Sequence, residues 1–126
     1  MYYIDSWAWI EYFRGSPDGR KAAPYINSHE TLLTNQLTLF EVYHRICREG
    51  RIEMAEEKYR KITGEFNAMV QEIDDELTKH ASHIKLKEGL AMADAYAMAT
   101  ARKHGAKIVT GDPDFKKFKE TIYIGR

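Results

Sequence analysis

Four acidic residues have apolar sequence neighbours. Two of them directly follow short apolar runs, and the other two lie between apolar residues in predicted helices. Asp5 follows the run YYI, and Asp112 follows the run AKIVTG. Glu41 lies between Phe and Val, and Asp94 lies between Ala-Met-Ala and Ala-Tyr-Ala. A carboxylate that faces water has no need of such neighbours, because charged side chains are rarely surrounded by apolar ones unless they are paired. We therefore treat the four acids as candidates for one shared site.

Carboxylates gathered in one place are suited to binding a hard divalent cation. They cannot all stay ionised without a partner, because like charges raise one another's pKa and burial raises it further. Oxygen ligands favour Mg²⁺ or Mn²⁺, and Mg²⁺ keeps several waters, which leaves a position for a phosphate oxygen. The chemistry expected there is hydrolysis of a phosphodiester by a metal-activated water, without a Ser, His or Cys nucleophile. Both one and two metal ions are compatible with this pattern.

Each acid also has a local interpretation that involves no catalysis. Asp5 and Asp112 are good helix-capping residues, and Asp94 could complement the dipole in the first turn of a helix. Glu41 could pair with Arg45 one turn further on. These four interpretations are unrelated to one another, whereas a single site accounts for all four acids together.

The elements that must position these acids alternate along the chain. Apolar runs predict strands at 2–4, 31–34, 68–73, 106–111 and 121–124. Helical spacing and end signals predict helices at 6–13, 20–27, 38–48, 51–66, 75–87, 90–105 and 115–118. The alternation predicts an α/β fold, a three-layer α/β/α sandwich with a mostly parallel central sheet, in one domain over 1–126. Since ligands bind at the carboxyl ends of parallel strands, Asp5 and Asp112 should face one another if their strands are neighbours.

The composition agrees with a single globular core. The chain has 126 residues, of which 44% are hydrophobic and 30% charged, and one cysteine, Cys47, which excludes an internal disulfide. No apolar run has membrane-spanning length and the N-terminus lacks a signal-peptide pattern, so a cytoplasmic protein with no membrane association is expected. The 19 basic residues equal the 19 acidic ones, so nucleic-acid binding would need a local basic face.

The motifs YYIDSW, TLFEVY, LAMADAYAMATARKHG and AKIVTGDPDF occur together in the order seen in a known family. The chain resembles the PIN-domain nucleases over almost its whole length, and within them the VapC-type toxins of prokaryotic toxin–antitoxin pairs. The resemblance places Asp5, Glu41, Asp94 and Asp112 at the acidic positions of the family's metal site. It places Asp114 at the variable fifth acidic position. Two further matches are the small hydroxyl residues that support the site, Ser6 and Thr110.

The resemblance implies a Mg²⁺- or Mn²⁺-dependent endoribonuclease that acts as a toxin on an RNA substrate. It also implies an antitoxin partner, whose C-terminal segment lies across the site, and a homodimer. Among the basic residues, Arg14, Lys116 and Lys117 are the candidates for RNA contact.

Other functions are compatible with parts of this pattern. One is a PIN-domain nuclease of RNA processing or DNA metabolism without a toxin role, and another is a non-catalytic PIN-like module that binds RNA or protein. A phosphatase with an Asp nucleophile would need a second Asp two residues after Asp5, where Trp7 stands.

The two acids of the stretch TGDPDF are not expected to be equivalent. Gly111 lets the backbone turn and direct Asp112 into the site, so Asp112 should bind the metal directly. Asp114 follows Pro113, which begins a helical turn, so it should act through water or as a helix-start acid. Trp7 and Trp9 cannot share a helix face, so one of them should be more exposed and available to a partner.

Overall fold

The computed structural model describes residues 1–126, and its centre is a five-stranded sheet. The strands are β1 (Tyr2–Ile4), β2 (Leu32–Asn35), β3 (Met69–Gln71), β4 (Lys107–Thr110) and β5 (Thr121–Tyr123). Their spatial order is β3-β2-β1-β4-β5, and every neighbouring pair is parallel. The predicted fold class is confirmed, and the sheet is parallel throughout.

Six α-helices cover the two faces of this sheet. They are α1 (Ser6–Arg14), α2 (Pro17–Ile26), α3 (Gln36–Arg48), α4 (Ile52–Arg60), α5 (Asp75–Glu88) and α6 (Met92–His104). Buried side chains of α5 and α6 form one apolar cluster on one face, and those of α1 to α4 form a second cluster on the other. No helix combines the length and the apolar character needed to cross a membrane.

The strands join the two clusters because successive side chains of a strand point to opposite faces. In β1, Tyr3 belongs to the α5–α6 cluster and Ile4 to the other. In β4, Ile108 and Val109 divide in the same way, and all four side chains are fully buried. Continuous apolar runs of this kind are typical of strands buried on both faces.

Several element ends differ from the predicted ones, and capping explains three of them. The predicted helix at 20–27 begins earlier, at Pro17, because the Ser16 hydroxyl accepts a hydrogen bond from the backbone N–H of Gly19. The predicted helix at 38–48 begins at Gln36, because Asn35 is its N-cap. The predicted helix at 115–118 is wrong. A short 3₁₀ turn at Pro113–Phe115 takes its place, capped by Asp112.

The predicted helix at 51–66 is divided. Helix α4 ends at Arg60, and a π-helical turn follows at Lys61–Glu65. The predicted strand at 68–73 is shorter in the structure and lies at one edge of the sheet.

Candidate metal centre

Asp5 lies at the junction of β1 and α1, beside the end of β4. Its backbone N–H donates to the Val109 carbonyl at 3.1 Å, which continues the parallel pairing of β1 with β4. Asp5 occupies the N-cap position of α1, yet its side chain makes no capping hydrogen bond. Instead, Asp5 Oδ2 accepts a hydrogen bond from Thr110 Oγ1 at 2.7 Å, and the residue is only 4% exposed. The carboxylate is thus held at the carboxyl edge of the sheet rather than used as a cap.

The loop after β4 brings Asp112 to the same edge. Thr110 Oγ1 accepts a hydrogen bond from the Asp112 backbone N–H at 3.0 Å while it donates to Asp5. Asp112 Oδ1 accepts from the Asp114 N–H at 2.9 Å, so the local capping role foreseen for Asp112 is present. That role uses one carboxylate oxygen. The second oxygen has no hydrogen-bond donor within the protein.

Asp94 is the third residue of α6, and its carboxylate meets those of the β4 loop. Asp94, Asp112 and Asp114 each offer one oxygen, and these oxygens lie within 4.8 Å of one another. The sequence interpretation placed Asp114 further out, acting through water or as a helix-start acid. Asp114 does lie in the first turn of the 3₁₀ helix, and its exposed carboxylate also belongs to this group of three; whether it binds a metal directly stays a prediction.

Glu41 reaches the site from the second turn of α3. It is half-buried, and no ion pair joins it to Arg45, so the alternative of a local helix pair is not found. Burial raises the pKa of Glu41, the Ser6 hydroxyl partly opposes that rise, and the charge of Asp112 adds to it. Ser6 is the first residue of α1 and therefore lies at this edge of the sheet as well.

The start of α3 is anchored by a buried polar network that sequence reasoning missed. Asn35 Oδ1 accepts from the N–H groups of Leu37 and Thr38 at 3.0 Å, and Asn35 Nδ2 donates to Thr100 Oγ1 of α6 at 3.2 Å. The Thr38 hydroxyl and the Tyr3 hydroxyl of β1 share a hydrogen bond of 2.6 Å. An Asn directly before an amphipathic helix is an N-cap signal, and it could have identified this anchor.

The acids influence one another electrostatically. Burial, and after it the charges of Asp5, Asp112, Glu41 and Asp114, together raise the pKa of Asp94 to about 7. The five carboxylates therefore occupy one neighbourhood.

The pKa of Asp5 is raised to about 6, and burial is the largest cause. The hydrogen bond from Thr110 opposes this rise, and the charges of Glu41 and Asp112 add to it.

The residues present fit a hard divalent cation. The donors are all carboxylate oxygens, and no arginine or lysine forms an ion pair with any of the five acids. Without a counter-charge such a group resists full ionisation near neutral pH, and a bound hard divalent cation would remove this conflict.

The basic residues predicted to contact RNA lie outside the acidic group. Arg14 ends α1, and its guanidinium pairs with Glu11 at 3.4 Å and with Glu49 at 2.5 Å. Lys117 Nζ lies 3.7 Å from a Glu88 carboxylate oxygen. Lys116 Nζ lies 4.9 Å from the centre of the Tyr123 ring, and both lysines are exposed beyond the loop that holds Asp112.

The two tryptophans differ as their spacing predicts. Trp9 is fully buried, and Trp7 is half-buried. The Trp7 ring covers Gly111, where a Cβ atom would lie only 2.2 Å from Trp7 Cη2. Trp7 therefore packs on the loop that holds Asp112, and the partner surface expected there stays a prediction.

The fold has close counterparts among solved structures. A toxin–antitoxin complex from Klebsiella pneumoniae has a chain that matches with a TM-score of 0.79, at 15% identity over 98% of each chain. VapBC2 from Rickettsia felis, bound to a DNA fragment from its promoter, has a chain that matches with a TM-score of 0.71, at 13% identity over 97% of this chain and 96% of that chain. At such low identity the likeness concerns the fold.

No curated protein matches the chain in sequence. The family model described as PIN domain matches residues 2–120, nearly the full length and including all five acids. By this match, together with the parallel sheet and the acids at its carboxyl edge, the chain belongs to the PIN domain family.

Proposed function

We propose that the protein is a divalent-metal-dependent endoribonuclease and the toxin of a toxin–antitoxin pair. The observation that carries this proposal is the group of five carboxylates, on four different segments of the chain, at the carboxyl edge of the sheet, in which Asp94 feels the charges of the other four. Structural acids are normally paired with a cation or a capping donor, whereas these acids mostly face one another.

We assign the binding of Mg²⁺ or Mn²⁺ to Asp5, Glu41, Asp94 and Asp112. A metal ion held by these carboxylates would polarise a phosphoryl oxygen and lower the pKa of a water. The chain's own residues supply the positioning. Thr110 orients the Asp5 carboxylate, and Asp112 is oriented by its hydrogen bond with the Asp114 N–H.

The supporting residues keep these groups in place without substrate. The Asn35 cap holds the start of α3, and the shared Thr110 hydroxyl joins the loop after β4 to Asp5. A preorganised site of this kind needs little rearrangement when charge develops on the phosphate.

The toxin role is supported by the PIN domain match and by the likeness to chains of two toxin–antitoxin complexes. We extend it to an antitoxin that binds this chain, to a homodimer and to action in the cytoplasm. A small gene for a DNA-binding protein beside the gene for this chain would support the pairing, and co-purification of its product with this chain would test it.

The activity is tested by incubating the purified chain with transfer, ribosomal and messenger RNAs, with Mg²⁺, with Mn²⁺ or with a chelator, and mapping the cleaved ends. Asp94→Asn is the variant that should abolish cleavage. Asp75→Asn is a matched control, because Asp75 is an exposed acid at the start of α5. Metal-independent cleavage, or equal cleavage by both variants, would exclude the proposed mechanism.

A further inference from the structure

Helix α3 has an exposed face that leads away from the acidic group. At about 100° per residue, Phe40, Glu41, His44, Arg45 and Arg48 fall within about 140° of the helix circumference. All of them except the half-buried Glu41 are exposed. This face begins beside a candidate metal ligand and continues for two further turns.

Phe40 is an unusual residue on this face. It is 62% exposed, although a large apolar side chain of an amphipathic helix is normally turned to the core. Its ring lies parallel to the His44 ring, with an interplanar angle of 6° and 5.3 Å between the centroids. The two rings thus form a stacked aromatic pair next to the residue that reaches the acids.

Arg45 and Arg48 are the charged residues of the same face. The ion pairs that arginines form in this structure involve Arg14, Arg102 and Arg126, so neither Arg45 nor Arg48 has a carboxylate oxygen within 4.0 Å. They lie one and two turns beyond Glu41. Unpaired arginines at such positions are available for phosphate oxygens.

We infer that this face binds a single strand of RNA, with one nucleobase stacked on the Phe40–His44 pair and phosphates on Arg45 and Arg48. The inference rests on the proposed function, because it supplies the path by which a strand reaches the carboxylates. An aromatic surface beside free cations matches the base-and-phosphate alternation of a nucleic acid strand. An apolar protein segment would gain nothing from two unpaired guanidinium groups.

The recognition is one of shape and charge. Stacking on an aromatic ring tolerates any base, because every base has a π-face. This subsite therefore selects unpaired nucleotides next to the scissile phosphate, rather than a particular base.

The test uses fluorescence anisotropy with labelled oligouridylate, with metal chelated so that no cleavage occurs. Phe40→Ala should weaken binding about 10-fold, within the range for one lost stacking contact. Phe40→Trp should bind at least as well as the unaltered protein. Leu86→Ala, which removes an 88% exposed apolar side chain of α5, should have no effect. Circular dichroism should show that all variants remain folded.

The arginines are tested by the salt dependence of the same binding. Arg45→Gln and Arg48→Gln should each lower the slope of log affinity against log salt by about 0.7. Arg20→Gln, at an exposed arginine of α2 that forms no ion pair, should leave the slope unchanged.

The outcomes separate this inference from the proposed function. Cleavage of RNA by the unaltered protein, together with unchanged binding by Phe40→Ala, overturns the inference and leaves the function in place. Binding that depends on Phe40 without any cleavage supports the inference and contradicts the function. Absence of oligouridylate binding overturns the inference. A change from dimer to monomer in Phe40→Ala, seen by sedimentation with RNA binding unaffected, also overturns it and identifies the face as an interface between copies.

Discussion

The two ends of helix α6 meet half-buried acids in opposite surroundings: Asp94 belongs to its first turn, and Glu120, which directly precedes β5, meets Arg102 of its last turn. Near its start, Asp94 faces four other carboxylates, and its pKa is raised to about 7. Near its end, Arg102 Nε donates to Glu120 Oε2 at 2.6 Å. Burial raises the pKa of Glu120, but the hydrogen bond and charge of Arg102, a backbone hydrogen bond and the charge of Lys119 together outweigh burial, and the net shift is downward.

This difference shows where the protein leaves a charge uncompensated. The same helix supplies a cation for the acid at one end and none for the acids at the other. A site that must be filled by an external cation has to keep the internal ones away. The contrast therefore points to binding at the start of α6 and to stability at its end.

The largest effect is expected from Asp94→Asn and Asp5→Asn. Each should lower RNA cleavage at least ~100-fold, because transition-state charge loses its stabilisation. Each should also keep or raise the Tm of the metal-free protein, because repulsion between carboxylates is relieved. Cleavage is measured at saturating Mg²⁺ and Tm by calorimetry with chelator. Unfolding of Asp94→Asn would mean that the first-turn capping role of this acid is its main one.

The two acids of the loop after β4 should differ in how strongly cleavage depends on them. Asp112→Ala should cost at least ~100-fold in cleavage. Asp114→Ala should cost about 10-fold, the lower end for residues that support a metal ligand. Single-turnover rates at saturating Mg²⁺, with folding checked, measure both. Equal losses would show that Asp114 is itself a metal ligand. Such a role is compatible with its carboxylate oxygen lying within 4.8 Å of those of Asp94 and Asp112.

The close contact between Trp7 and Gly111 should make any residue larger than glycine unfavourable at position 111. Gly111→Ala places a methyl group against the indole ring, so the loop must move and cleavage should fall about 10-fold or more. Overpacking should also cost about 1–3 kcal/mol in the free energy of unfolding. Both are measured beside Gly64→Ala, where nothing lies within 4 Å of the added carbon.

A second variant separates the Trp7 contact from other effects of the alanine. Trp7→Leu added to Gly111→Ala should restore part of the lost cleavage, because the smaller side chain leaves room. Failure of this rescue would mean that Gly111 is needed for another reason.

Bound metal should weaken or reverse the pH dependence of stability. The folded-state pKa values of Asp94 and Asp5, about 7 and about 6, lie above the unfolded values near 4. Above pH 4 the folded state holds protons that the unfolded state has lost, so the metal-free protein becomes less stable as pH rises from 4 to 8. The Tm with chelator should be lower at pH 8 than at pH 5. With saturating Mg²⁺ the difference should shrink or change sign, and a Tm that rises with pH in chelator would contradict the unpaired site.

The smallest effect is expected from loss of the ion pair between Arg102, in the last turn of α6, and Glu120. Glu120→Gln removes a partly exposed ion pair and should lower the free energy of unfolding by about 1 kcal/mol or less. RNA cleavage should not change. Urea unfolding measures the first quantity, and a loss of cleavage would show that the two ends of α6 are coupled.

Much of this arrangement is determined by short stretches of sequence. Apolar runs and helical spacing specify the alternation of strands and helices, and the three-layer fold class follows from it. The motifs around Asp5, Glu41, Asp94 and Asp112 indicate the PIN domain family before any contact is known. These features are local, because each depends on residues only a few positions apart.

Only the tertiary structure brings β1 beside β4 and so joins Asp5 to Thr110, which are 105 positions apart. It also decides that Asp114 belongs to the closest group of carboxylates, and that Asn35 anchors α3 to α6. Strand pairing depends on how whole faces are buried, and a raised pKa depends on how much water the complete fold excludes. No short stretch contains that information, because distant segments create both the contact and the desolvation.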